Sequence, residues 1–284
     1  MDERKAKVLL RHRGAMAGLA TLLLFALLAG TIGLLSRYDP VSIVGGEQVA
    51  AERFQSPSAH HLLGTDHAGR DLFTRIFYAA RLSLLIGVVC VGFSMAVGVP
   101  LGAAAGYFGG WTDMAVSRFI DILLSFPSVL LAIVIAAPMG ASLKTVILAV
   151  GIVGVPQFAR QVRASVLALR EQDFVTASHA LGAGHGRVLF IDILPNALGP
   201  IIVLATLGVG SAILTAAGLS FIGLGVEAGT PEWGAMLHDG YTDRERSPYP
   251  ALFSGLAISL AVLGFNLFGD GLRDALDPKS QRPS

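Results

Sequence analysis

His60, His61 and His67 lie close together in this 284-residue chain, and imidazoles at such spacing suit a transient site for a transition metal. The strings Gly64-Thr65-Asp66 and Gly69-Arg70-Asp71 between and beside them read differently. They are turn-forming pieces in which Asp66 and Asp71 pair with Arg70 or Arg75, and in that setting His61 packs and hydrogen-bonds. A second set of candidates is Asp113, Asp121 and Asp270. Coupling to an ion gradient needs carboxylates facing a pathway inside a membrane. At helix ends the same residues serve more simply as caps or as partners of Arg118 or Arg273. No G-x-x-x-x-G-K-[ST] string occurs, and none of the four lysines (Lys5, Lys7, Lys144, Lys279) follows a glycine, so the chain has no phosphate-cradling loop. Cys90, the single cysteine, sits in an apolar run and excludes an internal disulfide framework or a thiolate metal cluster.

The elements that carry these residues are membrane spans. Hydrophobic residues make up 53% of the chain and charged residues only 14%, against about 25% in a soluble domain. Lys and Arg number 21 and Asp and Glu 20, which gives no reason to expect a nucleic-acid partner. Uncharged runs cover 14–36, 82–112, 122–143, 193–226 and 247–269, and each reaches the roughly 20 apolar residues that cross a bilayer. The shorter run 145–159 crosses with a turn or two of its flanks, so six transmembrane helices are predicted in an all-α integral membrane protein. Continuous apolar runs exclude a β-barrel, which alternates. Abundant Gly and Ala suit close helix packing, and Pro100, Pro127, Pro138, Pro156 and Pro195 fall in or at the ends of spans. Residues 106–110 read as a turn and 218–229 as a glycine-rich loop.

Five basic residues precede the first run, which is long for a signal peptide and reads as an uncleaved anchor. With that tail inside, inner segments hold thirteen Lys/Arg and outer loops eight, which places both termini in the cytoplasm. The predicted organisation is a basic cytoplasmic tail (1–13), a first span (14–36), an extracytoplasmic loop (37–81), a five-helix core (82–273) and a second tail (274–284). The core carries a cytoplasmic loop at 164–193 and an extracytoplasmic loop at 218–250. Trp233 in the latter suits a membrane-interface anchor or a contact with another protein. Serines and histidines that would make a nucleophile and its base fall on opposite sides of this membrane, and no catalytic residue is assigned.

Inside the cytoplasmic loop, residues 173–182 read as a short helix with Asp173 as N-cap and Gly182 at the left-handed stop. Phe174, Ala177 and Leu181 share one face, and Thr176, Ala177, Ser178 and Ala180 make the surface small. Eight residues are too few for a helix that stands alone in water. Either its own bundle or another protein docks on it.

The stretch TASHALGAGHGRVLFIDILPN (176–196) resembles the EAA loop of bacterial ABC-importer permeases. Ala177, Gly182, Leu194 and Pro195 match that loop in identity and spacing. Thr176 stands where Glu is usual and Ser178 where the second Ala is usual. HLLGTDHAGRDLFTR (61–75), GLSFIGLGV (218–226), PEWGAML (231–237) and FNLFGDGLRDALDP (265–278) resemble, in order, the signatures of the dipeptide/oligopeptide/nickel permease family, in its subunit with the shorter first outer loop. The resemblance implies a type I importer architecture in the bacterial cytoplasmic membrane, with no cofactor or resident metal on this chain. It implies a sister permease as the other half of the channel, one or two ATPase subunits and an extracytoplasmic solute-binding protein. The region from Asp173 to Arg187 would then be the coupling helix seated in the ATPase, and Pro195 would begin the next span. His61, Gly64, Thr65, Asp66, Gly69, Arg70, Asp71 and Trp233 would dock a partner or brace the outer loops. Dipeptides or oligopeptides are the expected cargo, with nickel chelates, glutathione-like peptides and other small solutes behind them.

Overall fold

The computed structural model describes residues 8–36, 38–40, 52–227 and 229–276, so most of the basic tail (1–7), the stretch 41–51 and most of the second tail (277–284) lie outside the described residues. Regular structure among the described residues is helical, apart from one isolated bridge between Thr65 and Asp71. Helix α1 (Arg13–Leu35) starts at His12, whose Nδ1 accepts from the Ala15 N–H. Helix α2 (Leu72–Phe108) begins well before the uncharged run at 82. Asp71 caps it, accepting from the Thr74 N–H at 2.8 Å and the Thr74 hydroxyl at 2.7 Å. The arginines that bounded the apolar run do not stop the helix. Arg75 donates to the Pro40 carbonyl at 2.6 Å, and Arg81 to that of Ala29 at 2.5 Å.

Helix α5 (Leu143–Arg170) packs along α2 in parallel. Ser94 Oγ donates to the Gly151 carbonyl at 2.7 Å, a separation of 57 positions. The same register repeats down the seam. A Cβ on Gly98 would stand 2.8 Å from the Val155 carbonyl oxygen, Gly102 abuts that of Ala159, and a Cβ on Gly106 would stand 2.9 Å from that of Arg163. Glycine at every fourth position lets the two backbones touch, which substitutes in a membrane for the missing hydrophobic drive.

Because the two helices are parallel, the chain between them must return to the starting level. By the register Leu143 stands beside Ile86, about 22 residues or roughly 33 Å back along α2. That distance matches the bilayer core of about 30 Å. The return is made by α3 (Gly110–Leu124) and α4 (Ser128–Ala136), which meet at 89°. The third span is therefore a crossing, but a broken one, not the single helix expected over 122–143. Pro127 is the cause: it lacks an N–H and pushes Phe126 out of the helical region.

Helix α6 (Asp173–Ala180) joins α5 to α7 (His185–Phe221), a 37-residue helix. Pro195 stands in the first turn of the regular α-helical span Leu194–Phe221, as expected, but helical structure already precedes it. The chain is already helical from His185 and widens to π geometry over Val188–Ile193, with the Leu194 N–H reaching back to the Leu189 carbonyl. A proline interrupts the regular i→i−4 ladder, and the wider turn absorbs the interruption. The far end also differs from expectation: α7 continues to Phe221, so the loop starts at 222 rather than 218. The predicted turn at 106–110 narrows to Gly109 and Gly110, with φ of +65° and +54°.

Helix α8 (Trp233–Thr242) and helix α9 (Tyr249–Leu276) complete the bundle. Trp233 is not an interface anchor. It is fully buried, its Nε1–H donates to the Ile76 carbonyl at 2.9 Å, and its ring meets Phe25 edge-on at 5.3 Å. Two neighbours turn it inward. Glu232 caps α8 by accepting from the N–H groups of Gly234 and Ala235, both at 2.9 Å. Gly234 in turn lies so close to the α7 backbone that a Cβ there would stand 2.5 Å from the Ala217 Cα. Antiparallel α1 and α9 close the bundle, with a Cβ on Gly18 only 2.9 Å from the Phe268 nitrogen and Ala15 beside Gly271. The start of α1 and the end of α9 thus share the end of the bundle that carries α6.

Candidate functional site

Two sites follow from this frame, one at each end of the bundle. At the first, α6 is a short helix held rigidly on one side and left bare on the other. Gln172, not Asp173, is its N-cap residue, and Asp173 is the first helical residue, with no capping hydrogen bond to a side chain. A carboxylate in the first turn still complements the positive end of the helix. The stop is as expected. Gly182 has φ +83°, its N–H bonds the His179 carbonyl at 2.9 Å, and the Ala183 N–H bonds the Ser178 carbonyl at 3.1 Å, which is a Schellman closure.

The anchor of α6 is Val175, 3% exposed among Val162, Val166, Val188, Leu189 and Ile193. Ser178 Oγ donates to Asp192 Oδ2 at 2.7 Å, joining α6 to the π segment of α7. Val175 and Asp192 were not among the expected site residues, since which face of so short a helix turns inward is decided by the bundle. The other side is apolar and open. Phe174 is 41% exposed and Leu181 89%, Thr176, Ala177 and Ala180 lie beside them, and Arg187 and Pro195 are exposed as well. Phe190 and Ile191 extend the apolar surface along α7.

Below this surface, Asp113 pairs with Arg163 through two contacts, one of them Nη2 to Oδ2 at 2.7 Å. This is a helix-end carboxylate with an arginine partner, though the arginine comes from α5 and not from nearby Arg118. Arg170 donates to the Gly106 carbonyl at 3.0 Å, and the Tyr107 hydroxyl meets His185 Nδ1 at 2.9 Å. His179 stacks edge-on against His185. The two helices that hold α6, α5 and α7, are therefore both tied to α2 as well.

The second site is the cap over the start of α2. Asp66 accepts from the backbone N–H groups of Ala68 and Arg70 at 2.9 Å each, and its other oxygen holds Arg70 Nε at 2.8 Å and Arg75 Nε at 3.4 Å. Asp71 pairs with neither arginine. Its carboxylate is spent on the α2 cap and on His61 Nδ1, 3.0 Å away. Gly64 and Gly69, with φ of +83° and +75°, shape the two turns, and Thr65 Oγ1 donates to the Glu52 carbonyl at 2.5 Å. His61, Thr65, Asp66, Arg70 and Asp71 are all buried, and their bonds run within the cap. Among the described residues no three His, Cys, Asp or Glu side chains converge as metal ligands, and His61 Nδ1 is engaged by Asp71.

Among the described residues, five long apolar helices and one bent pair, α3 with α4, make six crossings around a glycine seam, with a short helix presented at one end: this is a multi-pass membrane bundle. The family model for the inner membrane component of binding-protein-dependent transport systems matches residues 98–282. The model for the N-terminal transmembrane domain of oligopeptide transport permease C matches residues 5–57. The chain belongs to the family of binding-protein-dependent transport system inner membrane components: it is a permease of an ABC importer and a multi-pass inner membrane protein. It is 50% identical over 273 residues to the dipeptide transport system permease protein DppC of Alkalihalophilus pseudofirmus, covering 96% of this chain and 88% of that one. Identity is 42% over 273 residues to the glutathione transport system permease protein GsiD of Pectobacterium atrosepticum (96% and 89%). It is 44% over 274 residues to the di/tripeptide transport system permease protein DppC of Pseudomonas aeruginosa (94% and 89%). The fold is that of a type I importer. The inward-facing MetNI methionine ABC transporter superposes with a TM-score of 0.58 at 20% identity, covering 71% of this chain and 96% of that chain. Work by such permeases involves an ATPase and a binding protein as partners.

Proposed function

We propose that this chain is one of two different permease subunits that together form the path of a short-peptide importer, and that α6 is the element through which one or two ATPase subunits drive it. The observation that carries the reading is the two-sidedness of α6. Val175 and the Ser178–Asp192 bond fix it to its neighbouring helices, while Phe174 and Leu181 stay bare. An exposed, immobilised apolar face at a helix stop is a lever waiting for a partner, and motion imposed on it passes directly to α5 and α7. On this reading the α6 end and both termini are cytoplasmic, and the Asp66–Asp71 cap faces the binding protein. Dipeptide, di/tripeptide and glutathione are the cargoes named for the three relatives, and all are short peptides. ATP hydrolysis belongs to the partner, since the chain carries no phosphate-binding loop of its own.

The test is co-purification of the ATPase from mild detergent with tagged chain carrying Phe174→Asp and Leu181→Asp. Each removes about 1.5–3 kcal/mol of apolar burial at the contact and adds a charge that must be desolvated. Leu181 is 89% exposed and Phe174 41%, so Leu181→Asp alone serves as the variant that leaves the fold untouched. Loss of the ATPase with retention of the second permease subunit is expected. An ATPase that stays bound to the double variant refutes the assignment of α6.

A further inference from the structure

On the face of α5 turned away from the glycine seam, Gln157, Arg160, Gln161 and Ala164 line a cavity of about 410 Å³, walled by Leu124 of α3 and Leu204 of α7. The volume falls in the usual range for small-molecule pockets, about 300–1,000 Å³. Its depth is set by the register of the seam. With 57 positions between partners, Arg160 stands level with Ala103 and Gln157 with Pro100, both inside the uncharged stretch of α2. Arg160 is exposed and makes no hydrogen bond or ion pair with any described residue. Its neighbour one turn on, Arg163, is held by Asp113, and Arg170 is held by Glu171 and the Gly106 carbonyl. An unpaired guanidinium little more than a turn inside the α6 end of the bundle, flanked by two amides in an open cavity, is placed to meet an anion that enters.

We infer that Arg160 receives the terminal carboxylate of the peptide in transit, with Gln157 and Gln161 offering hydrogen bonds to its amide groups. This rests on the short-peptide reading above. Peptides of different sequence share only their backbone and ends, so a path that passes many of them must read those groups. A guanidinium fork fits a carboxylate through two parallel hydrogen bonds, which an ammonium cannot match. The contact specifies chemistry without specifying side chains.

The experiment uses the complete importer (both permease subunits, ATPase and binding protein) in vesicles, with the chain carrying Ala164→Cys. The native Cys90 is 1% exposed and does not compete for reagent. The rate at which a small maleimide labels the introduced thiol is measured with no peptide, with millimolar alanyl-alanine, and with its C-terminal amide. The acid should slow labelling severalfold and the amide should not. Arg160→Gln should abolish the protection and Arg160→Lys restore part of it. ATP-driven uptake of labelled alanyl-alanine in the same vesicles should fall about tenfold or more with Arg160→Gln. Equal protection by acid and amide, or uptake unchanged by Arg160→Gln, overturns the assignment. So does loss of the second permease subunit from the Arg160→Gln complex, which would make Arg160 an interface residue, or protection by lipid phosphate alone. If vesicles that retain Arg160 take up no peptide at all, the cargo reading itself has failed, and uptake without acid-selective protection separates the two cases.

Discussion

Replacing Trp233 by alanine removes a side chain that is wholly enclosed between α1 and α2. Truncating a buried tryptophan costs about 3–5 kcal/mol. With about 2–4 °C per kcal/mol for chains of this general size, the melting point should fall by roughly 6–20 °C. Trp233→Phe keeps most of the apolar contact with Phe25 but loses the Nε1–H bond to the Ile76 carbonyl, so it should cost about 1 kcal/mol and roughly 2–4 °C. The chain supplies its own reporter. Cys90 is the single cysteine and is buried in the same core, so a thiol-reactive fluorophore reports its exposure on heating in detergent. The expected order of melting points, highest first, is wild type, then Trp233→Phe, then Trp233→Ala. An alanine variant that melts within about 2 °C of wild type would refute the bracing role and return Trp233 to the membrane interface.

Gly98→Leu drives a side chain into the Val155 backbone and should abolish a monodisperse peak in detergent chromatography, whereas Gly92→Ala, with open space around it, should leave the peak unchanged. Asp71→Ala removes the α2 cap and the partner of His61 together. A melting-point loss equivalent to about 1–2 kcal/mol is expected, and a change indistinguishable from zero would show that the cap is redundant. In a Cys90→Ala background, cysteine placed at Ser178 should be shielded from an impermeant reagent outside intact cells and cysteine at exposed Thr242 should react. The reverse pattern would invert the topology.

What was legible along the chain was what local chemistry decides. Gly182 ends α6 because the left-handed turn needs no residue beyond its own neighbours. The apolar runs locate crossings because a bilayer sets one length for all of them. The ends of those runs were less informative, since Arg75 and Arg81 halt a count of uncharged residues but not a helix that finds carbonyl partners for them at Pro40 and Ala29. Asp113 takes a partner fifty positions away, and Trp233 is turned inward where its neighbour Gly234 meets Ala217 of α7; in both cases the partner stands on another helix. The Gly98-x3-Gly102-x3-Gly106 spacing is a different case: the signal stands in the sequence, and its meaning becomes plain once α5 is known to lie along it in parallel.

The clasp between α1 and α9 sets a schedule for biogenesis. Gly18 leaves the ribosome roughly 250 residues before the stretch around Gly264 and Phe268 that receives it, which at about 5–20 residues per second is on the order of ten to fifty seconds. Through that interval the notch at Gly18 lacks the helix that fills it. Until α9 arrives, α1 is held from one side only, by the bonds that Ala29 and Ser36 make with α2, and α9 completes its seat.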